Sequence, residues 1–524
     1  MIEQNNETSL NVDFQLNPIK IGSYEFLVNR DVNENLHLLH NFEHVIPKYD
    51  EENGPHIDIS IDNKVPNRVP LKKSVINSIL IKGASDMTDN EYYSTFVSKK
   101  RDYLEKYLIG STYAKGYHEP SSIQNLAIIE LLQGKDCLGQ AKSGTGKTHT
   151  FLYGLLYNFD PDDAELQYIF ISSSHEVATQ IYVNAKHLLT NAKNGKTCAN
   201  ISLCIGQKKD NGESGGFKAA IGTSNLNNRE KTPSEERKEV ENAQILVCTM
   251  GKFYHYLFNS KWIPSTKFLK AICVDEFDTI IASRSKPRSS TIMSTEQQMA
   301  AIMQQIPKNA QRVFLSATVT SESLEIAHSY FRPYDPTIGD PFMILLKTDD
   351  YTLEGIRQYY IKCRDFTEKK DTLMDILKLC HITQAIIFTN KIEVANEIKD
   401  YLDDQSIKIP SAVFHGQLSA ITRKNIYQDF VANKIRLLIS TDLSARGLDV
   451  QGINVVINFD MPGSLQNYIH RVGRSGRYGR KGVAISLVLA NSNINEMKKI
   501  SEINECSTSS TMKPVTGDDL PHLL

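Results

Sequence analysis

The run Ala141-Lys-Ser-Gly-Thr-Gly-Lys-Thr148 carries the residue types that wrap a polyphosphate. Its glycines let backbone amides turn inward at the positive end of a helix opening near Lys147. The Lys147 ammonium can neutralise outer phosphates, and the Thr148 hydroxyl can ligate magnesium. Ala141, Lys142, Ser143, Gly144, Thr145, Gly146, Lys147 and Thr148 therefore form the candidate nucleotide loop, with Ala141 where the general pattern has its first glycine. A second run, Asp275-Glu-Phe-Asp278, ends the apolar stretch Ala271-Ile-Cys-Val274. Carboxylates at the carboxyl end of a buried strand face the crevice where open α/β sheets bind ligands. Asp275 can hold a magnesium shell, and Glu276 can orient or deprotonate an attacking water. Alone, such an acidic turn is usually just solvated. Downstream of a phosphate loop it points to ATP hydrolysis.

A third run, His470-Arg-Val-Gly-Arg-Ser-Gly-Arg477, continues into Tyr478-Gly-Arg-Lys481. So many guanidinium groups repel one another unless carboxylates or bound anions face them. A basic patch on nucleic acid competes with a phosphate-directed role for any single arginine.

These runs need strands and helices to place them. From Asp136 to about Phe342, short apolar runs alternate with amphipathic helices: Cys137–Gln140, Tyr168–Ser172, Ile245–Cys248, Ala271–Val274 and Val313–Leu315. The pattern restarts after the polar stretch Lys347–Thr352 with Ala385–Phe388, Ser411–Phe414, Ile435–Ile439, Asn454–Ile457 and Val483–Leu487. Continuous apolar strands separated by helices predict parallel sheets covered on both faces. Two α/β domains with a short linker follow. The expected division is 1–90, an N-terminal extension of undefined structure; 91–346, the ATP-binding domain; 347–505, the second domain; and 506–524, a flexible tail. His56–Ile61 is a possible strand in the extension. The Gly-, Asn- and Ser-rich stretch at about 208–237 is expected to be a surface loop or disordered insertion.

Bulk properties exclude little. A formal charge of −2 argues against a uniformly basic coat but leaves room for a local phosphate track. The eight cysteines form no Cys-x-x-Cys pair, and several lie in apolar runs, which favours buried thiols over zinc or disulfides. Neither a signal peptide nor a bilayer-spanning stretch is evident, so an intracellular, reducing compartment is expected.

In order and spacing, these motifs resemble the DEAD-box RNA helicases, most closely the branch containing translation initiation factor 4A. The resemblance runs from about Leu108 to Val488 and implies two tandem RecA-like domains that use ATP and magnesium on RNA, with an N-terminal extension. Gly116-Tyr-His-Glu-Pro-Ser-Ser-Ile-Gln124 is similar to the family's Q motif, which implies that Gln124 reads the adenine edge. The family also stacks an upstream aromatic on adenine; Phe96 is the nearest Phe, a few residues too far away, and the position stays open. Ser316-Ala-Thr318 resembles the motif coupling ATP to strand separation, with Asp278 and His470 in the same coupling set. The resemblance implies that Arg474 and Arg477 reach the terminal phosphate. Within Ser440-Thr-Asp-Leu-Ser-Ala-Arg-Gly-Leu-Asp449 it implies that Thr441 faces RNA, Arg446 helps closure and Asp449 binds the ribose. RNA contacts are implied at His175, Thr249, Gly251, Lys252, Thr389 and Arg423, mostly to the sugar-phosphate backbone.

The chain departs from the family at Phe277, the third position of Asp-Glu-Ala-Asp, which neighbouring packing must accommodate. It departs on the RNA side at His175 and Lys252, where arginines are usual, and at Ala420, where a glutamine is usual. Weakened or altered RNA affinity is expected, with ATP chemistry retained. The main expectation is RNA-stimulated ATP hydrolysis coupled to duplex unwinding or RNP remodelling by a monomer, with protein regulators as further partners and no membrane association. An ATP-gated RNA clamp with little unwinding is the alternative, and a DNA-acting ATPase is a third.

Overall fold

The computed structural model of the chain describes residues 16–21, 24–29, 38–59, 67–82, 84–140, 146–205, 232–263, 265–281, 293–346, 356–380, 382–405, 408–418, 420–442, 452–475, 482–489, 495–505 and 511–523. Ala141–Thr145, Arg446, Asp449, Arg477 and the linker run 347–352, all singled out in the sequence, lie outside the described residues.

Runs whose every residue is apolar and buried, such as Ala271–Val274, require a sheet covered on both faces. The N-terminal part contributes β1 (Asn17–Ile21), β2 (Tyr24–Val28), β3 (Lys48–Asp50), β4 (Gly54–Ile59) and β5 (Asn67–Pro70). The strands β6 (Cys137–Gln140), β7 (Tyr168–Ser172), β8 (Ile201–Cys204), β9 (Ile245–Thr249), β10 (Ala271–Val274), β11 (Gln311–Ser316) and β12 (Phe342–Leu346) follow. Nine of these form one sheet in the order β1-β2-β12-β6-β11-β10-β7-β9-β8. From β12 to β8 the pairing is parallel, whereas the β1–β2 hairpin adds antiparallel to β12. The strands β3, β4 and β5 make a separate antiparallel sheet.

The second sheet takes β13 (Ile356–Cys363), β14 (Ala385–Thr389), β15 (Ser411–Phe414), β16 (Leu437–Thr441), β17 (Val455–Asn458), β18 (Gly482–Leu489) and β19 (Lys513–Pro514). Its order is β15-β16-β14-β17-β18-β13-β19, parallel throughout. Each large sheet belongs to its own compact unit, the first including the N-terminal part and 235–346, the second 356–523.

Three expectations need correction. The extension is not separate from the first unit. Leu39, Phe42 and Val45 are buried, and the Tyr157 hydroxyl donates to the Val45 carbonyl at 2.9 Å. The fully buried Lys100 donates to the Tyr157 carbonyl (2.7 Å) and the Ser78 hydroxyl (3.0 Å), and burial holds its ammonium well below the usual lysine range. Secondly, the segment 208–237 does not end in loop: Pro233–Glu241 is helical. Thirdly, 511–523 is ordered rather than a flexible tail. The strand β19 pairs with β13, and Leu520 and Leu523 enter the second core. The extension and the C-terminal segment are weakly periodic, so their structure comes from partners distant in sequence.

Candidate functional site

In the first unit the chemistry-bearing side chains gather at the carboxyl ends of β6, β10 and β11. The loop after β6 closes at Gly146, whose φ of +92° favours glycine. A Cβ there would come within 2.9 Å of Gln124 Nε2. Gln124 itself is buried; its carbonyl oxygen accepts from the Ser121 N–H (2.8 Å), and its amide donates to the Gly146 carbonyl at 3.5 Å. An amide has two donor hydrogens and two acceptor lone pairs, so one of each stays available for an adenine edge. From Gly146 the chain enters the helix Lys147–Leu156, with Lys147 in its first turn.

The carboxylates follow β10. Parallel pairing sets Val274 beside Phe314 of β11 and Ile171 of β7, which carries Asp275 to the sheet edge. Burial raises the Asp275 carboxyl to about 6; the Lys147 charge lowers it, while Glu276 and Asp278 raise it further. A buried acid crowded by two others, with Lys147 as countercharge, suits a hard divalent cation. Glu276 has a φ of +52°, unusual for a residue with a Cβ. Its N–H donates to Asp275 Oδ1 at 2.8 Å, and its carboxylate accepts from the Ser173 hydroxyl. Nothing in the local sequence marked this contact of Ser173 with Glu276, because it joins the loops after two neighbouring strands.

Asp278 and Thr318 meet. The Thr318 hydroxyl donates to Asp278 Oδ2 at 2.6 Å, and Thr318 N–H donates to the same oxygen at 3.3 Å. The Ser316 hydroxyl donates to the Thr318 carbonyl at 2.5 Å, and Gln140 Nε2 reaches the Ala317 carbonyl at 3.4 Å. The end of the phosphate-loop strand is thereby tied to Ser316–Thr318. Phe277 turns into the core, its ring 4.7 Å from that of Phe314 with Phe331 beyond, which is how the larger residue is accommodated. Phe96 is fully buried in the helix Asp89–Lys106, which removes it as an adenine-stacking face. A different aromatic group borders the nucleotide helix. His149 lies near Phe42, Tyr117 and Tyr153, and burial pushes its pKa down to about 4.

The stretches expected to meet RNA begin side by side, because Ser172 of β7 pairs with Thr249 of β9. Ser174 caps the helix His175–Leu188, accepting from the Val177 N–H at 3.2 Å, so His175 sits in its first turn. Gly251 and Lys252 open the helix Met250–Tyr254 after β9.

In the second unit, the ends of β14 and β16 are likewise adjacent, with Thr389 paired to Thr441. Thr389 differs from expectation: its side chain is buried, and its hydroxyl turns back to the Lys391 carbonyl at 3.0 Å. Thr441 is half-buried at the strand end, and Arg423 is half-buried on the helix Ala420–Val431. His470 and Arg474 are both buried, and Arg474 Nε donates to the His470 carbonyl at 3.0 Å.

The residue missed here is Arg471. It is fully buried, and its guanidinium bonds both oxygens of Asp442, the Asp460 carbonyl (2.6 Å) and Asn390 Oδ1 (2.8 Å), beside the Phe388 ring. One side chain thus fastens the stretches around Asn390, Asp442 and His470 together. Asp442 inside the Ser440–Asp449 run was the available signal, since a dense arginine cluster calls for a facing carboxylate.

Residues 121–326 match the DEAD/DEAH box helicase family, and residues 368–479 match the helicase conserved C-terminal domain. The chain belongs to the DEAD/DEAH box helicase family, is of the DEAD-box type, and so falls in an ATP-hydrolysing enzyme class with two RecA-like domains. Among its relatives, the putative ATP-dependent RNA helicase R458 of Acanthamoeba polyphaga mimivirus is 57% identical over 98% of each chain. The ATP-dependent RNA helicase eIF4A of Mycosarcoma maydis is 35% identical, over 74% of this chain and 82% of its own. Among solved structures, S. cerevisiae Dbp5 bound to RNA and ADP BeF3 is similar with a TM-score of 0.63 and 26% identity, over 79% of this chain and 94% of that one. Among the described residues, no helix is long and apolar enough to cross a membrane.

Proposed function

We propose that this chain, an ATP-dependent RNA helicase of the DEAD-box type, couples magnesium-dependent ATP hydrolysis to local unwinding of RNA duplexes or remodelling of RNPs. The observation that carries this is the joining of Asp278 to Thr318 beside the Lys147–Asp275–Glu276 group, which links the hydrolytic carboxylates to the coupling motif. Residues 141–148 and Gln124 bind the nucleotide, and Asp449 holds its ribose. Thr148 and Asp275 would hold Mg2+, which would supply Lewis-acid stabilisation of phosphate charge. Lys147 neutralises the outer phosphates, and Glu276 orients the attacking water and takes up its proton. Arg474 and Arg477 stabilise charge on the transferred phosphoryl group, as arginine fingers do. Ser316, Thr318, Arg446 and His470 relay the nucleotide state to the RNA contacts.

RNA is held through backbone contacts by His175, Thr249, Gly251, Lys252, Arg423 and Thr441, with Thr389 shaping its loop from beneath. The solved Dbp5 complex with RNA supports RNA as the ligand, and the residues are assigned from the motif match. Regulatory proteins are part of the same proposal, and a variant of that yeast protein is solved bound to Gle1 and IP6.

The test is strand displacement on a short RNA duplex by the full chain, compared with Glu276→Gln. Release that needs turnover, with Glu276→Gln binding ATP but failing at multiple rounds, supports the helicase. Tight RNA holding with no strand release by either protein would replace it with the clamp.

A further inference from the structure

Lys252, assigned above to RNA phosphate, already has an anionic partner within the chain. Its ammonium lies 3.4 Å from Glu236 Oε1, with the two side chains 18% and 20% exposed. The same ammonium sits 4.8 Å from the centre of the Tyr256 ring, which is buried. The aromatic face and the carboxylate together fix where the charge points. Glu236 belongs to the helix Pro233–Glu241, the first described element after 206–231. The neighbouring Arg237 pairs with Glu241 at 2.7 Å, so it does not neutralise Glu236 in the same way.

A lysine ammonium is a compact point charge with three donor hydrogens, and any phosphate that reaches it meets what already surrounds it. A carboxylate in ion-pair range cancels much of the attraction and repels the incoming phosphate. The pair is largely shielded from solvent, so salt screens it less than it screens an open surface pair. We propose that Glu236 sets RNA affinity by occupying Lys252, so that RNA backbone must displace or tolerate this carboxylate on binding. The proposal rests on the assignment of Lys252 to RNA. It implicates the carboxylate in affinity for any strand and in no choice of base, because phosphate contacts carry no sequence.

The experiment measures binding of an unstructured oligouridine to the full chain, with a non-hydrolysable ATP analogue, at several salt concentrations. Glu236→Gln, which keeps side-chain size, is expected to bind roughly three- to tenfold tighter, with a salt slope steeper by about 0.7, the increment for one added phosphate contact on a single strand. Lys252→Ala is expected to weaken binding, and adding Glu236→Gln to it is expected to bring no gain. If Lys252→Ala weakens binding but Glu236→Gln does not strengthen it, the role of Glu236 is wrong while the RNA assignment stands. An equal gain from Glu236→Gln with and without Lys252 also overturns it, since that would be a general charge effect. If Lys252→Ala leaves RNA binding unchanged, the assignment of Lys252 fails and the proposal with it. Circular dichroism of each variant separates these outcomes from misfolding.

Discussion

The two units handle buried charge in opposite ways. At the end of β10, Asp275 is buried beside Glu276 and Asp278, and its pKa is raised to about 6 because neighbouring groups do not fully compensate its ionised form. Beneath the arginine motif, Arg471 is just as buried, yet Asp442, Asp460 and Asn390 supply acceptors around its guanidinium. An incompletely compensated buried charge is stabilised when a ligand of opposite sign arrives. A charge with its hydrogen bonds made is already part of the scaffold, and losing either partner is costly. The first unit therefore leaves a buried carboxylate incompletely compensated, while the second uses Arg471 as framework.

The strongest way to break this contrast is at Lys147. Lys147→Ala should lower ATP turnover by about 10²–10³-fold, in the range seen when a transition-state charge contact is removed. Its thermal midpoint should stay close to wild type, because the role belongs to ligand. A large loss of stability with little loss of turnover would reverse the assignment. For Arg471 the opposite balance is expected. Arg471→Met should cost about 3 kcal/mol or more in unfolding free energy, since it strands Asp442, the Asp460 carbonyl and Asn390 Oδ1. Denaturant unfolding of the full chain would show this as earlier melting of one transition; an unchanged curve would mean that the buried network is not a framework.

A buried histidine sharpens the contrast within the first unit. His149 holds its pKa near 4, and the unfolded chain titrates near 6.5. The folded state therefore gains full stability from this site above pH 6.5 and loses it as the pH falls toward 4. The loss is about 3 kcal/mol at most, from 2.5 pKa units. Stability measured across that range should fall in wild type and fall less in His149→Phe; parallel curves would exclude the effect.

The smallest effect is expected on the RNA side. His175→Arg puts a permanent, forked cationic donor where an imidazole stands. RNA binding should tighten about fivefold, or about 1 kcal/mol, with RNA-stimulated turnover reaching half-maximum at lower RNA. No change in either quantity would remove His175 from the RNA contacts.

Much of the fold was legible because its signals are local. The runs Ile245–Cys248, Ala271–Val274 and Ala385–Phe388 are apolar at every position, which leaves few alternatives to a buried parallel strand. The strands β8 and β13 were harder: Ile201–Cys204 and Ile356–Cys363 mix polar and apolar residues, and their neighbours in the sheet stabilise them. The hairpin β1–β2 and the C-terminal β19 add to sheet edges formed by residues hundreds of positions away or on the far side of the domain. In the site, Lys147, Asp275, Glu276, Asp278 and Thr318 were readable from motif order. The Ser173–Glu276 contact and the Glu236–Lys252 pair were not, because each joins separate runs whose spacing carries no chemical mark, and Arg471 was marked only by the need of its dense cluster for a facing carboxylate.

By itself, then, the sequence determined the chemistry on offer: a phosphate loop, carboxylates closing a buried strand, and an arginine motif. Those are properties of residue type and short-range spacing, which backbone geometry alone converts into position. The tertiary structure decided which charges face a ligand and which face each other. Pairing of Ser172 with Thr249 and Thr389 with Thr441 brings distant loops to common edges. Burial then separates the groups, since the same charge is cheap in water, costly in a dry core, and stable there only when its partners arrive from elsewhere in the chain.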